Sequence, residues 1–290
     1  MMSYWIVTDA GSDLPLSYVQ QQEKLKVIPM PYRLDDKEYR LGAVEEASIA
    51  SFYKRLNEGG MATTSQVTTA DYVTLFKEHA ARGESLLCLS LSSGISGSFQ
   101  SAMIAKQMVM EEYPTAQIQV VDTLGASLGQ GLLVHYALQG RSQGKTLDEL
   151  AQWVTDNRQK MISWFTVDDL NFLFRGGRVT RTSALLGSML RIKPVLHVNP
   201  EGKLIPKDKV QGRKRSLREL ADKAIEYANP KKGQTMFISH GDCEADAQLV
   251  AKHIKEALPD TEFMISPIGA VIGSHSGPGT VALFFMGDHR

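Results

Sequence analysis

The sequence is poor in the residues that crosslink a chain or hold a metal. Its 290 residues include only two cysteines, Cys88 and Cys243, and no cysteine or histidine spacing of the kind found in metal sites. Both cysteines lie in apolar or strand-like contexts, so we expect free buried thiols in a reducing compartment. The sequence therefore indicates neither a disulfide framework nor a metal or other cofactor.

The sequence also lacks an excess of charge of either sign. Lys and Arg together number 32, Asp and Glu together also number 32, and the formal net charge is zero. Such a balance draws a protein neither to nucleic acid nor to an anionic membrane. Because no basic segment is interleaved with aromatic residues, we expect no nucleic-acid binding and at most transient membrane contact.

Long apolar runs are missing as well. No stretch approaches transmembrane length, and residues 1–9 have neither the basic region nor the long apolar region of a signal peptide. These absences predict a cytoplasmic protein, which must enclose any lipid that it handles. The length fits two compact domains better than one, and a monomer is the simplest assumption.

The order of predicted strands and helices indicates the fold class. Strands alternate with helices in the first part of the chain, which is typical of βαβ units and a parallel sheet. We predict an α/β N-terminal domain over residues 1–160, with a parallel sheet flanked by helices, and an α+β C-terminal domain over residues 161–290, with a mixed or antiparallel sheet. Because the connection is short, we expect the ligand between the domains.

The element boundaries follow from hydrophobic periodicity and from start and stop signals. Strands are predicted at residues 4–8, 27–32, 86–91, 117–121, 161–166, 195–198, 204–207, 235–239, 262–266 and 281–285. Helices are predicted at residues 16–23, 48–57, 69–80, 99–109, 124–142, 147–159, 217–227 and 245–257.

The sequence does contain three segments that combine small residues with hydroxyl groups. They are Thr64–Gln66, Ser92–Ser98 and Gly273–Gly279, and the last of them adds the imidazole of His275. None carries a carboxylate. This chemistry suits a buried anion that is held by hydroxyl and backbone N–H groups rather than by a salt bridge.

The Ser92–Ser98 segment has the most specific context. It follows the apolar run Leu86–Leu91 and precedes a helical pattern, which brings free N–H groups and the positive end of a helix to one place. It lacks the lysine of a phosphate-binding loop and the glycine spacing of a dinucleotide site. Gly94–Gly97 is also one residue short of the G-x-S-x-G nucleophile elbow. An ordinary strand-to-helix turn with a serine cap is the alternative interpretation.

The order and spacing of these segments resemble the DegV family of bacterial fatty-acid-binding proteins over essentially the whole chain. The resemblance implies a two-domain α/β protein that sequesters one long-chain fatty acid without catalysis of its own. In some members a separate fatty acid kinase phosphorylates the carboxylate of the bound acid to an acyl phosphate. The residues that carry the resemblance are Thr8–Leu14, Thr64–Gln66, Ser92–Ser98, Val121–Thr123, Arg175–Arg178, Lys193–Pro194 and Gly273–Gly279.

The resemblance also implies which residues contact the ligand. Thr64 and Ser93 would donate hydroxyl groups to the carboxylate, and the N–H groups of Gly94 and Ile95 would add the field of the helix terminus. His275 matches the family's histidine and would hydrogen-bond the head group and close the mouth. Ser65 and Ser274 are further candidate contacts, and the division of work among Ser65, Ser92 and Ser93 is open.

Two basic segments are candidate partner surfaces. Arg175 and Arg178 flank two glycines, which predicts a tight turn near the mouth, and the family associates this motif with kinase engagement; Arg181 and Arg191 follow. A second basic run, at residues 203–218, could dock to an acidic surface, either the kinase or anionic lipid, and is interpreted equally well as a solvated loop and helix start. Plausible lining residues for the acyl chain are Ile28, Met30, Phe165, Leu170, Phe172, Leu173, Leu185, Met189, Ile192 and Met264.

Two other functions remain open. The first is a lipid or acyl-ester hydrolase that uses Ser93 or Ser96 with His275, for which Asp9, Asp13 or Asp122 would have to orient the base. The second is a regulator that binds a small metabolite, related to dihydroxyacetone kinase, where a histidine engages the substrate. A cavity sized for an acyl tail favours the carrier, whereas a small polar cavity favours the metabolite.

Overall fold

The computed structural model of the protein describes residues 4–180 and 192–290 and contains three β-sheets. The strands are β1 (Trp5–Asp9), β2 (Leu25–Ile28), β3 (Met30–Leu34), β4 (Lys37–Leu41), β5 (Ala62–Thr64), β6 (Leu86–Ser90), β7 (Ile118–Asp122), β8 (Met161–Thr166), β9 (Ile192–Val198), β10 (Leu204–Gln211), β11 (Thr235–His240), β12 (Glu262–Pro267) and β13 (Val281–Met286).

A short 3-10 helix at Ala10–Ser12 follows the first strand. The α-helices are α1 (Leu16–Gln20), α2 (Glu46–Asn57), α3 (Thr69–Ala81), α4 (Ser98–Glu112), α5 (Leu128–Ser142), α6 (Leu147–Asn157), α7 (Asn171–Arg175), α8 (Arg213–Tyr227), α9 (Glu244–Ala257) and α10 (Ala270–Ser276). Within the described part of the chain, none of these helices combines the length and the apolar character needed to cross a membrane.

The first large sheet is parallel, with the strand order β2-β1-β6-β7. Every residue of β6 is buried, because helices cover both faces of this strand. Leu86 and Cys88 pack with α3 and α4, while Leu87 and Leu89 pack with α5. This two-sided burial explains why the strand is a nearly continuous apolar run rather than an alternating one.

The second large sheet has the order β10-β9-β8-β13-β11-β12, and only its β11–β12 pair is parallel. Its outer face, which includes Trp164 and Leu283, packs against α8 and α9. Its inner face, which includes Phe165 and Phe284, packs against α5. The predicted fold class, a parallel N-terminal sheet followed by a mixed C-terminal sheet, is confirmed.

Helix α5 lies between the two large sheets. Every residue from Leu128 to Val134 is buried, as expected of a helix whose first two turns are covered on all sides. The helix begins at Leu128, later than predicted, because Leu124 and Ser127 have left-handed backbone angles, with φ of 50° and 54°. The cavity described below opens beside its first turn.

Three differences from the predicted elements concern short or polar segments. The single strand predicted at residues 27–32 is divided by Pro29 into β2 and β3, and β3 joins β4 and β5 in a small antiparallel sheet. Four of the five residues of β4 are exposed, so no apolar pattern marks it. Helix α10 forms where no helix was predicted, from residues rich in glycine and serine.

The predicted division near residue 160 remains a prediction. Strands before it form the parallel sheet and the small sheet, and strands from Met161 onward form the mixed sheet. Helix α10, however, comes late in the chain and contacts β3 and β5 of the first part. Both cysteines are free; Cys88 is buried and Cys243 is half-buried.

Candidate functional site

A cavity of about 420 Å³ lies between the two large sheets and the small sheet. Its volume falls within the range typical of small-molecule sites. Most of its wall is apolar. The lining residues are Met30, Thr64, Ser65, Gln66, Leu91, Ile95, Ser96, Gly97, Ala126, Ser127, Ser163, Phe165, Leu173, Arg178, Val198, Leu204, Ile268, Val271, Ile272, His275, Ser276, Thr280, Ala282 and Phe284.

One end of the cavity holds a hydrogen-bonded pair from two distant segments. Thr64 Oγ1, at the end of β5, lies 2.7 Å from Nε2 of His275, in the last turn of α10. Along α10, Val271 and His275 are four residues apart and share the face that lines the cavity. The fold therefore brings together two residues that were predicted from the sequence to contact the ligand.

The His275 ring is neutral at physiological pH. Burial, and to a smaller extent the neighbouring Arg178 cation, lowers its pKa to about 4. Its second ring nitrogen, Nδ1, is buried and has no hydrogen-bond partner among the described residues. A Cβ atom placed on Gly176 would lie 2.2 Å from Nδ1, so the absence of a side chain at Gly176 leaves room for the ring.

Arg178 supplies a positive charge at this end. Its Nε donates to the carbonyl of Ile95 at 3.1 Å, and its Nη1 donates to the carbonyl of Gly176 at 2.5 Å. Burial lowers the pKa of this guanidinium, which stays protonated at neutral pH. The sequence placed Arg178 on a partner surface, whereas the structure places it in the cavity wall beside His275.

Three further polar residues line the cavity: Ser65, Gln66 and Ser96. Ser65 and Gln66 follow Thr64, are exposed, and line the cavity. Ser96 Oγ lies 3.0 Å from Ser98 Oγ and accepts from the Ser98 N–H at 3.2 Å. A hydroxyl in this position can donate to an anion while it accepts from the helix start.

The structure corrects the expected roles of the residues that follow β6. Ser93 is exposed and does not line the cavity. The N–H of Gly94 donates to Ser92 Oγ at 3.1 Å, and the N–H of Ile95 donates to the Ser92 carbonyl at 3.2 Å. Since both N–H groups are engaged within the loop, neither is free for a carboxylate, and only the Ile95 side chain reaches the cavity.

The same loop joins the two halves of the molecule. Ser92 Oγ donates to the carbonyl of Gly202 at 2.8 Å. A Cβ atom on Gly94 would lie 2.5 Å from the Glu201 carbonyl oxygen. The glycine therefore permits the turn between β9 and β10 to pack directly on this loop.

Ser274 has an internal role. It is buried, and its Oγ donates to the Ala270 carbonyl at 2.6 Å, one turn earlier in α10. Such back-bonding is common for serine in helices. Ser274 does not line the cavity, so this geometry does not support the predicted ligand contact.

The basic residues that were predicted to bind a partner lie at different places in the structure. Arg175 is exposed and lies over the ring of Phe172, with its guanidinium carbon 4.7 Å from the ring centroid. The second basic run is partly paired: Arg213 contacts Asp168 and Asp246. Arg181 and Arg191 lie outside the described residues.

Three of the ten predicted tail-lining residues face the cavity, namely Met30, Phe165 and Leu173. The remaining described candidates lie in the core, at its edge or on the surface: Ile28, Leu170, Phe172, Ile192 and Met264. Leu185 and Met189 lie outside the described residues. Sequence periodicity identifies buried residues but does not tell a cavity wall from a filled core.

One feature that favours the hydrolase alternative was not recognised from the sequence. Gly125–Gly129 matches G-x-S-x-G, and its Ser127 sits between β7 and α5 with φ 54° and ψ −148°, a strained conformation typical of a nucleophile elbow. Ser127 Oγ donates to the buried carboxyl of Asp13 at 2.6 Å, and burial raises the pKa of Asp13 well above its usual value. The histidine in the cavity pairs with Thr64 instead.

The other carboxyl groups considered for a triad are engaged elsewhere. Asp9 accepts from the N–H groups of Leu91 and Gly11, and Asp122 accepts from those of Ser93 and Leu124. Among residues 4–180 and 192–290, no group of three His, Cys, Asp or Glu side chains is placed to hold a metal ion.

The fold and the site together define a class: a two-sheet α/β protein with a largely apolar ligand cavity that ends in a neutral histidine, a threonine and an arginine. A family model described as "Uncharacterised protein, DegV family" matches residues 3–288. The chain therefore belongs to the DegV family, as its sequence motifs predicted.

Individual relatives are similar over their whole length. A DegV domain-containing protein of Clostridium perfringens, CPE0026, is 43% identical, and the match covers 100% of this chain and 99% of that protein. A solved Thermus thermophilus DegV family protein, described by its fatty acid binding, is 31% identical with a TM-score of 0.86 over 99% of this chain and 100% of that one. DegV of Bacillus subtilis, described as a fatty acid binding protein, is 28% identical with a TM-score of 0.84 over 99% and 100%.

Proposed function

We propose that this protein is a carrier that binds one long-chain fatty acid, with its carboxylate against Thr64, His275, Ser96 and Arg178. The observation that carries the proposal is the combination of a largely apolar cavity with a hydroxyl–imidazole pair and a cation at one end. The DegV proteins of Thermus thermophilus and Bacillus subtilis, which are described as fatty acid binding, support it.

The two parts of a fatty acid make different demands, and the cavity offers groups for each. Burial of a sixteen-carbon chain gains roughly 11–12 kcal/mol at about 0.8 kcal/mol per methylene, of which ordering and lost translation offset a large part. A buried carboxylate must be hydrogen-bonded or paired, since an unpaired one is very costly. Arg178 supplies the charge and Ser96 a hydroxyl donor. The Thr64–His275 pair supplies one more donor, because one of its two protons is used in the bond between them.

The apolar wall favours this carrier over the metabolite regulator. A small polar metabolite would leave Phe165, Leu173, Val271 and Phe284 without apolar contacts, whereas an acyl chain packs against them. The cytoplasmic location and the monomeric state remain predictions. A native mass spectrum of the purified protein would report the oligomeric state.

Mass spectrometry of the purified protein tests the proposal. Organic extraction under denaturing conditions should release about one mole of fatty acid per mole of protein, and the native spectrum should show the matching mass. Thr64→Val combined with His275→Gln should lose the lipid while staying folded. Thr63→Val is the control, because Thr63 is exposed and lies next to Thr64 on the same strand. An apo mass that is unchanged after incubation with palmitate or oleate would contradict the proposal.

We further propose that a separate fatty acid kinase acts on the bound acid and that Arg175 contacts it. Arg175 is exposed and lies on the helix that leads to the Gly176 carbonyl beside His275. Arg175→Ala should retain the fatty acid but reduce formation of acyl phosphate, trapped as a hydroxamate, at least tenfold with a bacterial fatty acid kinase. Arg82→Ala, which changes an exposed arginine at the end of α3, should leave the rate unchanged.

A serine hydrolase is the second candidate, and the backbone strain at Ser127 is the observation that favours it. An attacking Ser127 needs a base, and the groups at hydrogen-bond distance are the Asp13 carboxyl and the Ser239 hydroxyl rather than an imidazole. Turnover of short p-nitrophenyl esters that Ser127→Ala abolishes would support the hydrolase. Absence of turnover, together with retained lipid, would leave the carrier.

A further inference from the structure

Two serine hydroxyls lie in the wall of the cavity without a strong hydrogen-bond acceptor of their own. They belong to Ser163 on β8 and Ser276 at the end of α10, and their residues are only 2% and 5% exposed. Apolar wall residues near them include Ile272, Phe165, Ala282 and Phe284, and Thr280 Oγ1 donates to the Ser276 backbone carbonyl at 2.8 Å. A purely hydrocarbon ligand has no use for hydroxyls in these positions.

Ser276 Oγ has no hydrogen-bond partner in the part of the chain that the structure describes. Its neighbour Ser274 shows the usual alternative, since that hydroxyl donates to a carbonyl one turn earlier. Adjacent residues on a helix point about 100° apart, so Ser276 is not aligned with His275. It lies one turn after Ile272, on the side of α10 that continues along the cavity.

Ser163 has a weak partner. Its Oγ donates to Met161 Sδ at 3.3 Å, and a thioether is a poor acceptor. On the inner face of the mixed sheet, Ser163 is directly opposite Phe284, and Phe165 is opposite Ala282. An alanine would fit this backbone equally well and would complete an apolar wall.

An alkyl chain that fills the cavity offers these buried hydroxyls no hydrogen bond. Leaving a buried hydroxyl unpaired in this way costs about a factor of ten in affinity. A ligand with an oxygen atom along its chain avoids that loss, because a serine hydroxyl can both donate and accept.

We propose that the preferred ligand is an oxygenated long-chain fatty acid, whose chain hydroxyl or keto group hydrogen-bonds to Ser163 or Ser276. This inference rests on the proposed fatty acid binding and adds the class of chain to it. The carboxylate contacts at Thr64, His275 and Arg178 are the same for oxygenated and plain acids. The selectivity therefore comes from the wall of the cavity and not from its polar end.

A competition binding assay tests the inference on the full, delipidated protein. The probes are stearate, hydroxystearates that carry the hydroxyl at different chain positions, and an oxostearate. At least one oxygenated acid should bind about tenfold more tightly than stearate. Ser163→Ala or Ser276→Ala should remove that preference by weakening the oxygenated acid and strengthening stearate. Ser142→Ala, an exposed serine at the end of α5, is the matched control, and thermal unfolding checks that each variant is folded.

The possible outcomes separate this inference from the carrier function. Equal binding of stearate and every oxygenated acid, unchanged in both variants, would overturn the inference and leave the carrier intact. A Ser276→Ala variant that weakens all acids to the same extent would assign Ser276 to the carboxylate instead and overturn its role here. If the wild-type protein binds none of the acids, the carrier function itself fails.

Discussion

Two segments with nearly the same composition have different roles in this molecule. The Ser92–Ser98 segment directs most of its polar groups inward: Ser92 bonds to the turn at Gly202, and the Gly94 and Ile95 N–H groups bond within the loop. The Gly273–Gly279 segment ends helix α10 and presents His275 to the cavity. The difference shows that a hydroxyl- and glycine-rich sequence indicates a ligand site only where the fold leaves its polar groups unpaired.

The largest expected effect tests the joining role of the first segment. In Gly94→Ala, the new Cβ would lie 2.5 Å from the Glu201 carbonyl oxygen and 2.7 Å from Gly202, and backbone cannot easily move away. We expect the free energy of unfolding to fall by about 3 kcal/mol, as in overpacked cores. Chemical denaturation measures it.

Gly42→Ala is the control for this change, because the nearest atom to its new Cβ would be Pro29 Cγ at 4.0 Å, an ordinary contact. It should change stability by less than about 0.5 kcal/mol. If Gly94→Ala were equally harmless, the turn between β9 and β10 would not depend on close packing against the loop.

The second prediction concerns the pH dependence that His275 confers. The unfolded histidine takes up a proton near pH 6.5, whereas the folded one does so only near pH 4. The histidine's contribution to stability is therefore complete above pH 6.5 and is lost as the pH falls toward 4, by about 2–3 kcal/mol.

Unfolding free energies at neutral pH and near pH 4.5, measured for the wild type and for His275→Gln, isolate this contribution. The wild type should lose more stability than the variant over that interval. Parallel losses in the two proteins would show that His275 is not buried as a neutral ring.

The third prediction concerns the space beside His275. In Gly176→Ala the Cβ would lie 2.2 Å from Nδ1 of the ring, so the ring must move away from Thr64. We expect fatty acid affinity to fall about tenfold, which corresponds to the loss of one good hydrogen bond. Isothermal titration with palmitate measures the change.

Gly177→Ala separates this effect from general disturbance of the turn. Gly177 has φ +70°, so alanine there is strained by about 1 kcal/mol, but a Cβ would meet nothing within 4 Å. It should lower stability slightly and leave affinity unchanged. Equal affinity losses in the two variants would mean that the turn, and not the imidazole position, governs binding.

Most of the fold could be predicted from the sequence because its large sheets and helices carry strong patterns. The run Leu86–Leu91 was predicted as a buried strand, and Leu86–Ser90 forms the centre of the parallel sheet. The misses included the short β5 and α7, the exposed β4 and the polar α10. Contacts with the rest of the molecule stabilise these elements more than their own sequence does, so no local pattern reveals them.

The sequence predicted the positions of some side chains of the site but not those of others. Thr64 and His275 were predicted as ligand contacts and are in fact paired. Ser93 was predicted as a hydroxyl donor, but the turn directs it to solvent. A run of adjacent serines gives no sign of which one faces inward, and Arg178 reaches the cavity through a bond to Ile95 that no sequence pattern encodes.

The smallest expected effect distinguishes two serines of the same loop. Ser96 lines the cavity, whereas Ser93 is exposed and only its backbone N–H is engaged, by Asp122 at 3.2 Å. Ser96→Ala should weaken palmitate binding about fivefold, the value of one net hydrogen bond, and Ser93→Ala should leave it within about twofold. The same titration measures both. The reverse order would return the carboxylate to Ser93 and would require the loop to turn toward the cavity when the ligand binds.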